Sequence, residues 1–144
     1  MLEDVGAALN VLFSFRVLAF MVAGMVAGIL AGALPGLTAT MSIALLVPFT
    51  YRIEPPEAGL MILLGVYVGA MHGGAISAIV IRTPGTPAAA ATCFDGYPLA
   101  RKGEASLALN ISTIASSTGG VFSTLVLWMV AAPIASVALK FGPF

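Results

Sequence analysis

Two short segments, each built around a Pro-Gly pair, hold the residues of this sequence that are best suited to chemistry. They are Gly32-Ala-Leu-Pro-Gly-Leu-Thr38 and Arg82-Thr-Pro-Gly-Thr-Pro87, and each interrupts a long apolar run. Proline removes a helix hydrogen bond and glycine frees the backbone, so we expect a helix to break at both places. Because hydrocarbon cannot satisfy the freed N–H and C=O groups, such breaks survive only inside protein or beside a water-filled cavity. The two breaks therefore indicate a transport site.

The chemistry expected at these breaks is ion binding. A break exposes the N-terminus of the following half-helix, whose free N–H groups and positive dipole end favour an anion, typically a carboxylate. Carbonyl oxygens freed at the same place can coordinate sodium. The threonine hydroxyls could contact ligand or cap the new helix ends. The predicted substrate-binding residues are Pro35, Gly36, Leu37, Thr38, Gly74, Ser77, Thr83, Pro84, Gly85, Thr86 and Pro87, and the predicted cation-binding residues are Gly36, Thr40, Gly85 and Thr86.

Three other side chains could also take part. Arg82 is the one cation beside a break, and it could pair with a substrate carboxylate or extend to the lipid headgroups. His72 could relay protons or serve as a hydrogen-bonded structural residue, since no acid lies within a helical turn of it. Cys93 is interpreted as a small apolar filler, because a single cysteine can form neither an internal disulfide nor a metal cluster. We expect no cofactor and no metal beyond the coupling ion.

The composition indicates that the surroundings of the chain are a lipid bilayer. Of the 144 residues, 60% are hydrophobic and 8% are charged, whereas a soluble domain carries about a quarter charged residues. The windows 17–51, 58–81 and 105–139 contain no charge, and each could supply the roughly 20 apolar residues of a crossing. The zero net charge leaves no basic footprint for nucleic acid. These features predict an all-α, polytopic membrane protein with Pro-Gly-broken helices.

The elements that must position the breaks follow from these windows. We predict an interfacial lead-in over 1–16, a broken membrane helix over 17–49, a membrane helix over 58–81, the second break with a short helix over 82–94, a polar loop over 95–104 and a membrane helix over 105–139. The piece after Pro35 is too short to span and is interpreted as a half-helix or re-entrant segment ending at Pro48. Pro133 is expected to end the last helix. The basic pair Arg101 and Lys102 favours the cytoplasmic side for the polar loop.

Small residues also recur at four-residue spacing along the membrane segments. The members are Gly24, Gly28, Gly32 and Gly36 in the first segment, Gly65, Gly69 and Gly73 in the second, and Ser112, Ser116, Gly120 and Thr124 in the last. Such spacing puts the residues on one helix face, where another backbone can approach closely. The two glycine stripes are therefore predicted to pack on each other or on other parts of the protein. The hydroxyl-rich face could hydrogen-bond across a helix interface or line an aqueous path.

Five motifs, in order along nearly the whole chain, carry a resemblance to a known family. They are Gly32-Ala-Leu-Pro-Gly-Leu-Thr38, Gly73-Gly-Ala-Ile-Ser77, Thr83-Pro-Gly-Thr-Pro-Ala-Ala-Ala-Ala-Thr92, Asp95-Gly-Tyr-Pro-Leu-Ala-Arg-Lys-Gly-Glu104 and Lys140-Phe-Gly-Pro143. Together they resemble the large membrane subunit of the tripartite tricarboxylate transporters. The resemblance implies a multi-pass permease of the bacterial inner membrane that takes up citrate-like or other carboxylates, driven by a cation gradient, usually of sodium.

The resemblance also implies partners and a longer chain. The expected partners are a periplasmic substrate-binding protein and a small second membrane subunit, alongside the lipid bilayer. Family members contain two related halves, so this sequence is expected to be an N-terminal fragment that holds most of one half. Such a fragment would not complete a two-halved transport site by itself.

Two rival functions are open from the sequence. The first is a small membrane scaffold or assembly subunit without a transport site, whose glycine faces bind larger helices. A scaffold would gain nothing from unpaired backbone at membrane depth, and the breaks argue against it. The second is an intramembrane hydrolase using Ser77 and His72, but no carboxylate is available to orient the histidine as a base. We therefore expect a transporter and not an enzyme.

Overall fold

The chain folds into helices throughout the part that the computed structural model describes, residues 10–138. In chain order they are α1 (Phe15–Ala33), α2 (Ala39–Thr50), α3 (Pro56–Ile81), a short 3-10 turn (Pro87–Ala89), α4 (Thr92–Arg101) and α5 (Ala105–Ala138). Three stretches, α1, α3 and Ala105–Ala131 of α5, are long and apolar enough to cross a membrane. No strand occurs among the described residues. The predicted all-α, polytopic class is confirmed.

The glycine stripes of α1 and α3 pack directly on each other, as one of the predicted arrangements required. A methyl group added at Gly24, Gly28 or Gly32 of α1 would collide with a backbone carbonyl oxygen of α3. The reverse holds for Gly65, Gly69 and Gly73 of α3 against α1. The facing carbonyl oxygens belong to Ile62, Val66 and Ala70 on α3 and to Met21, Met25 and Ile29 on α1. Because the interface is reciprocal, the two backbones approach along the length of both stripes.

The first break separates α1 from α2 around Pro35 and Gly36, as predicted. Gly36 has φ +99, a left-handed conformation that glycine adopts without steric cost. Thr38 then caps α2, since its Oγ1 accepts a hydrogen bond from the backbone N–H of Met41 at 3.2 Å. The 12 residues of α2 extend about 18 Å, well short of the roughly 30 Å hydrocarbon core. Pro48 lies inside this helix instead of ending it.

The third helix carries the chain from the polar turn near Glu54 to the second break. Arg16 at the start of α1 donates a hydrogen bond from its guanidinium to the Glu54 carbonyl at 3.3 Å, which ties α1 to the turn before α3. At the other end, Arg82 leaves the helix with φ 55 and ψ 25, and its N–H donates to the Ser77 carbonyl. The helix Pro56–Ile81 covers the predicted membrane segment 58–81 and begins two residues earlier.

The prediction of a polar loop over 95–104 is wrong, because the chain is helical from Thr92 to Arg101. The short helix predicted within 82–94 is a 3-10 turn followed by the beginning of α4. Gly96 and Pro98 look like turn residues in the sequence. Gly96 instead serves packing, since a Cβ there would lie 2.7 Å from Cγ1 of Ile79 on α3. Asp95 in the first turn and Arg101 in the last also suit the helix dipole.

The last helix belongs largely to a separate compact unit that begins at Asn110. Pro133 lies inside α5, which continues to Ala138, so the expected helix end at this proline is wrong. Membrane helices tolerate such prolines where local adjustments satisfy the freed carbonyl. Hydroxyls on this helix bond to its own backbone, as Thr124 does to Gly120 at 2.9 Å. The role predicted for its polar face stays a prediction.

Parts of two sequence features lie outside the described residues. Of the predicted interfacial lead-in 1–16, residues 10–12 are helical and α1 already begins at Phe15, while 1–9 are not described. The motif at 140–143 also lies beyond the described range.

Candidate functional site

The second break folds back between α1 and α3. Gly85 and Thr86 are buried, whereas Arg82, Thr83 and Pro84 before them are exposed. A Cβ added at Gly85 would collide with the carbonyl oxygen of Gly32 on α1. The same Cβ would lie 3.0 Å from the Cα of Gly74 and from the Oγ of Ser77, both on α3. Only a glycine fits at this position, because backbone surrounds it on two sides.

Thr86 places a hydroxyl inside the protein without giving it a partner. The residue is 3% exposed, and among the described residues its Oγ1 has no hydrogen-bond partner. It faces α3 where Gly74 leaves room, since a Cβ on Gly74 would lie 2.7 Å from Oγ1. An unsatisfied buried hydroxyl costs about 1–3 kcal/mol. A buried hydroxyl without a partner among the described residues is a candidate ligand for a bound ion.

Ser77 supplies a second oxygen beside Gly85. It is 4% exposed, and its Oγ donates a hydrogen bond to the Gly74 carbonyl at 3.1 Å. A hydroxyl that donates its proton still has lone pairs available to a cation. This bond goes to the backbone and not to His72, which lies half-buried on the same helix. Ser77 therefore lacks the general base that the hydrolase hypothesis requires.

The Gly32 carbonyl is a third oxygen at the same place. In a continuous helix it would accept from the N–H of Gly36, but the first break removes that donor. Among the backbone hydrogen bonds of the described loops and caps, none ends at the Gly32 carbonyl. Carbonyls freed in this way are typical cation ligands in broken membrane helices. Gly85 thus lies against oxygens of Gly32 on α1 and Ser77 on α3, and the Thr86 hydroxyl beside it faces Gly74 on α3.

The chain belongs to the tripartite tricarboxylate transporter TctA family. The sequence profile of this family matches residues 18–144. The chain is also 46% identical over 103 residues to an uncharacterized 52.8 kDa protein in the TAR-I ttuC′ 3′ region of Agrobacterium vitis. That match covers 72% of this chain and 20% of the length of the relative. No solved structure matches the chain.

Membership of the TctA family agrees with the resemblance that the motifs carried. It makes the chain part of a multi-pass membrane protein of a transporter family. Residues 10–138 contain no group of three or more His, Cys, Asp or Glu side chains that could hold a metal ion. The candidate site is therefore built from neutral backbone and hydroxyl oxygens.

The structure gathers some of the predicted site residues and separates others. Gly74, Ser77, Gly85 and Thr86 come together, whereas Pro35, Gly36 and Thr40 are exposed. Leu37 and Thr38 are half-buried, Thr83 and Pro87 are exposed, and Thr38 caps α2. Within the described residues, a Cβ at Gly36 would meet nothing within 4 Å. These residues stay predicted ligands, but the break regions touch through Gly32 and Gly85.

Gly32 is the residue that sequence reasoning missed. It was assigned to the packing stripe because it continues the spacing of Gly24 and Gly28. Its position four residues before Gly36 was the available signal, because a carbonyl at that distance loses its helix donor when the helix breaks. Its contact with Gly85, however, depends on the tertiary structure and cannot be read from the local sequence.

Proposed function

We propose that this chain forms part of a permease subunit that takes up tricarboxylates or related carboxylates together with a cation, which we take to be sodium. The observation that carries the proposal is the Thr86 hydroxyl, which is buried and has no hydrogen-bond partner among the described residues. Its neighbour Gly85 lies against the Gly32 carbonyl and the Ser77 hydroxyl. A small cation that prefers oxygen ligands would satisfy the Thr86 hydroxyl, and we propose the Gly32 carbonyl and the Ser77 hydroxyl as its further ligands.

The carboxylate is proposed to bind near the same breaks. Helix α2 begins at the first break, and its first N–H groups point toward that break. Such an end attracts an anion through its free donors and its dipole. The exposed Pro35, Gly36 and Thr40 leave this end open, and Thr83 to Pro87 would close the other side of the ligand. A bound cation would lower the electrostatic cost of bringing in a polycarboxylate, which provides a physical basis for coupled uptake.

The remaining parts of the proposal rest on the tripartite family. We propose that substrate arrives from a periplasmic binding protein, that a small second membrane subunit accompanies the permease, and that the complex lies in the bacterial inner membrane. The scaffold hypothesis required glycine faces that are free to bind larger helices. In this structure the glycine faces of α1 and α3 pack on each other, which removes its main support.

Sodium-dependent citrate uptake into proteoliposomes containing the intact permease would test this function. Thr86→Val keeps the size of the side chain and removes the hydroxyl, so we expect the apparent sodium affinity to fall roughly tenfold, the scale of one hydrogen-bonding or ligand group. Thr50→Val is a matched control, because the Thr50 hydroxyl only donates to the Val47 carbonyl of its own helix at 2.8 Å. Equal sodium dependence in both variants and the wild type would contradict the proposal.

A further inference from the structure

A second cluster of functional side chains lies where α3 ends beside α4, and it shares no residue with the site around Thr86. A cavity of about 270 Å³ there is lined by Arg82, Cys93, Phe94, Tyr97, Pro98 and Arg101. Its two guanidinium groups come from different elements, since Arg82 follows α3 and Arg101 lies in the last turn of α4. The proposed transport function uses neither arginine in this cavity.

The lining of this cavity is cationic and aromatic, without a carboxylate. The α4 residues that line it, 93, 94, 97, 98 and 101, follow the three- and four-residue spacing of a single helix face. Asp95 lies on the same helix but is not part of that face. Two guanidinium groups around one cavity repel each other and are best satisfied by an oxyanion, which they can bind through several parallel hydrogen bonds.

Arg82 is held toward the cavity by an aromatic contact and by an unusual backbone. Its guanidinium carbon lies 5.6 Å from the centre of the Tyr97 ring, within the range of a cation–π interaction. Its φ of 55 places it in the left-handed region, where helix-ending residues are most often glycine. Since glycine would adopt this conformation without strain, an arginine here indicates a role for the side chain.

The length of α3 is the basis for assigning the cavity at its end to the depth of the lipid headgroups. The 26 residues of α3 extend about 39 Å, longer than the roughly 30 Å hydrocarbon core, so its end reaches the interface. The last residues of α3, Val80 and Ile81, expose apolar side chains just before Arg82. On the cavity rim, Phe94 is 78% exposed. The site therefore combines two cationic side chains with an apolar surface, and such a surface suits contact with acyl chains.

We propose that this cavity binds the phosphate of an anionic phospholipid, with Arg82 and Arg101 contacting the phosphate oxygens and Phe94 lying along the glycerol and upper acyl region. A substrate carboxylate has similar oxyanion chemistry. The exposed apolar rim favours the lipid, because a small polycarboxylate gains nothing from an aromatic surface.

Native mass spectrometry of the intact transporter, titrated with phosphatidylglycerol or with zwitterionic phosphatidylethanolamine, would test the site. We expect preferential retention of phosphatidylglycerol, reduced at least tenfold in the double variant Arg82→Gln and Arg101→Gln, since the loss of even one charged hydrogen bond is worth about that factor. Arg52→Gln is the matched control, because Arg52 is an exposed arginine in the turn at the other end of α3. It should retain phosphatidylglycerol as the wild type does.

Arg82→Gly separates binding from folding. Glycine fits the left-handed backbone, so we expect this variant to melt at or above the wild-type temperature while losing the increase in melting temperature that phosphatidylglycerol gives the wild type. The proposal is overturned if the variants keep wild-type phosphatidylglycerol binding, or if they lose it no more than Arg52→Gln does. It is also overturned if citrate, and not the lipid, binds in a way that depends on Arg82 and Arg101.

Discussion

The Thr86 hydroxyl is buried in the second break, which follows the end of α3. Gly85 beside it allows the break to pack this closely against α1 and α3. Any side chain at Gly85 would push the break away from the Gly32 carbonyl and from Ser77. The chemistry of the site and its steric requirement are therefore set by adjacent residues, one providing the oxygen and the other allowing the close approach.

Gly85→Ala should abolish uptake while leaving membrane insertion intact, because its added methyl collides with the Gly32 carbonyl and moves the Thr86 hydroxyl. Citrate uptake, normalised to the amount of inserted protein, measures the effect. Gly119→Ala is the control, since a Cβ at that position meets nothing within 4 Å in the described residues. Normal uptake by Gly85→Ala would show that the close contact at this break is not needed for transport.

At the scale of the elements, the α1–α3 pair provides the support on which the site is built. Its close approach brings Gly32 on one helix within reach of Gly74 and Ser77 on the other, and the second break fits into the space that these residues leave. Because lipid gives helices no hydrophobic reason to associate, the small residues and the dense backbone contact must supply the attraction.

Gly28→Leu and Gly69→Leu should therefore impair assembly without changing which acid is preferred. Each leucine would force apart backbones that already exclude a methyl group, so we expect a lower yield of folded protein and a lower melting temperature in detergent. Gly119→Leu on α5 provides the comparison for a glycine with open space around it. Normal assembly combined with an altered substrate preference would show that these glycines serve the ligand instead.

The sequence predicted the breaks, the spans and the glycine interface because these depend on local rules, namely proline and glycine at fixed spacing within apolar runs. It predicted α4 wrongly, since Gly96 and Pro98 are turn residues by type and only the packing of Gly96 on Ile79 explains the helix. The role of Gly32 and the missing partner of Thr86 were also out of reach, because both depend on which distant backbone comes close.

At the scale of the whole molecule, α3 fixes which ends of the chain share a side of the membrane. The turn before it holds Arg52, its own first turn holds Glu57, and Lys102 follows α4. One long crossing lies between them, so we predict that the two polar segments face opposite sides and that Lys102 is cytoplasmic. Cysteine labelling at Glu57 and at Lys102, in a Cys93→Ala background, tests this. Labelling of both sites from the same side would refute the topology.

Oxygens from α1, α3 and the second break are proposed to converge on one cation, and direct sodium binding to the purified, intact permease tests this proposal. Calorimetric titration should give a sodium affinity that Thr86→Val lowers roughly tenfold and that Thr86→Ser, which keeps the hydroxyl, largely restores. Ser77→Ala should weaken binding as well. If both oxygens contact the same ion, as proposed, the effect of the two substitutions together should differ from the sum of their separate effects. Wild-type sodium affinity in Thr86→Val would contradict the account.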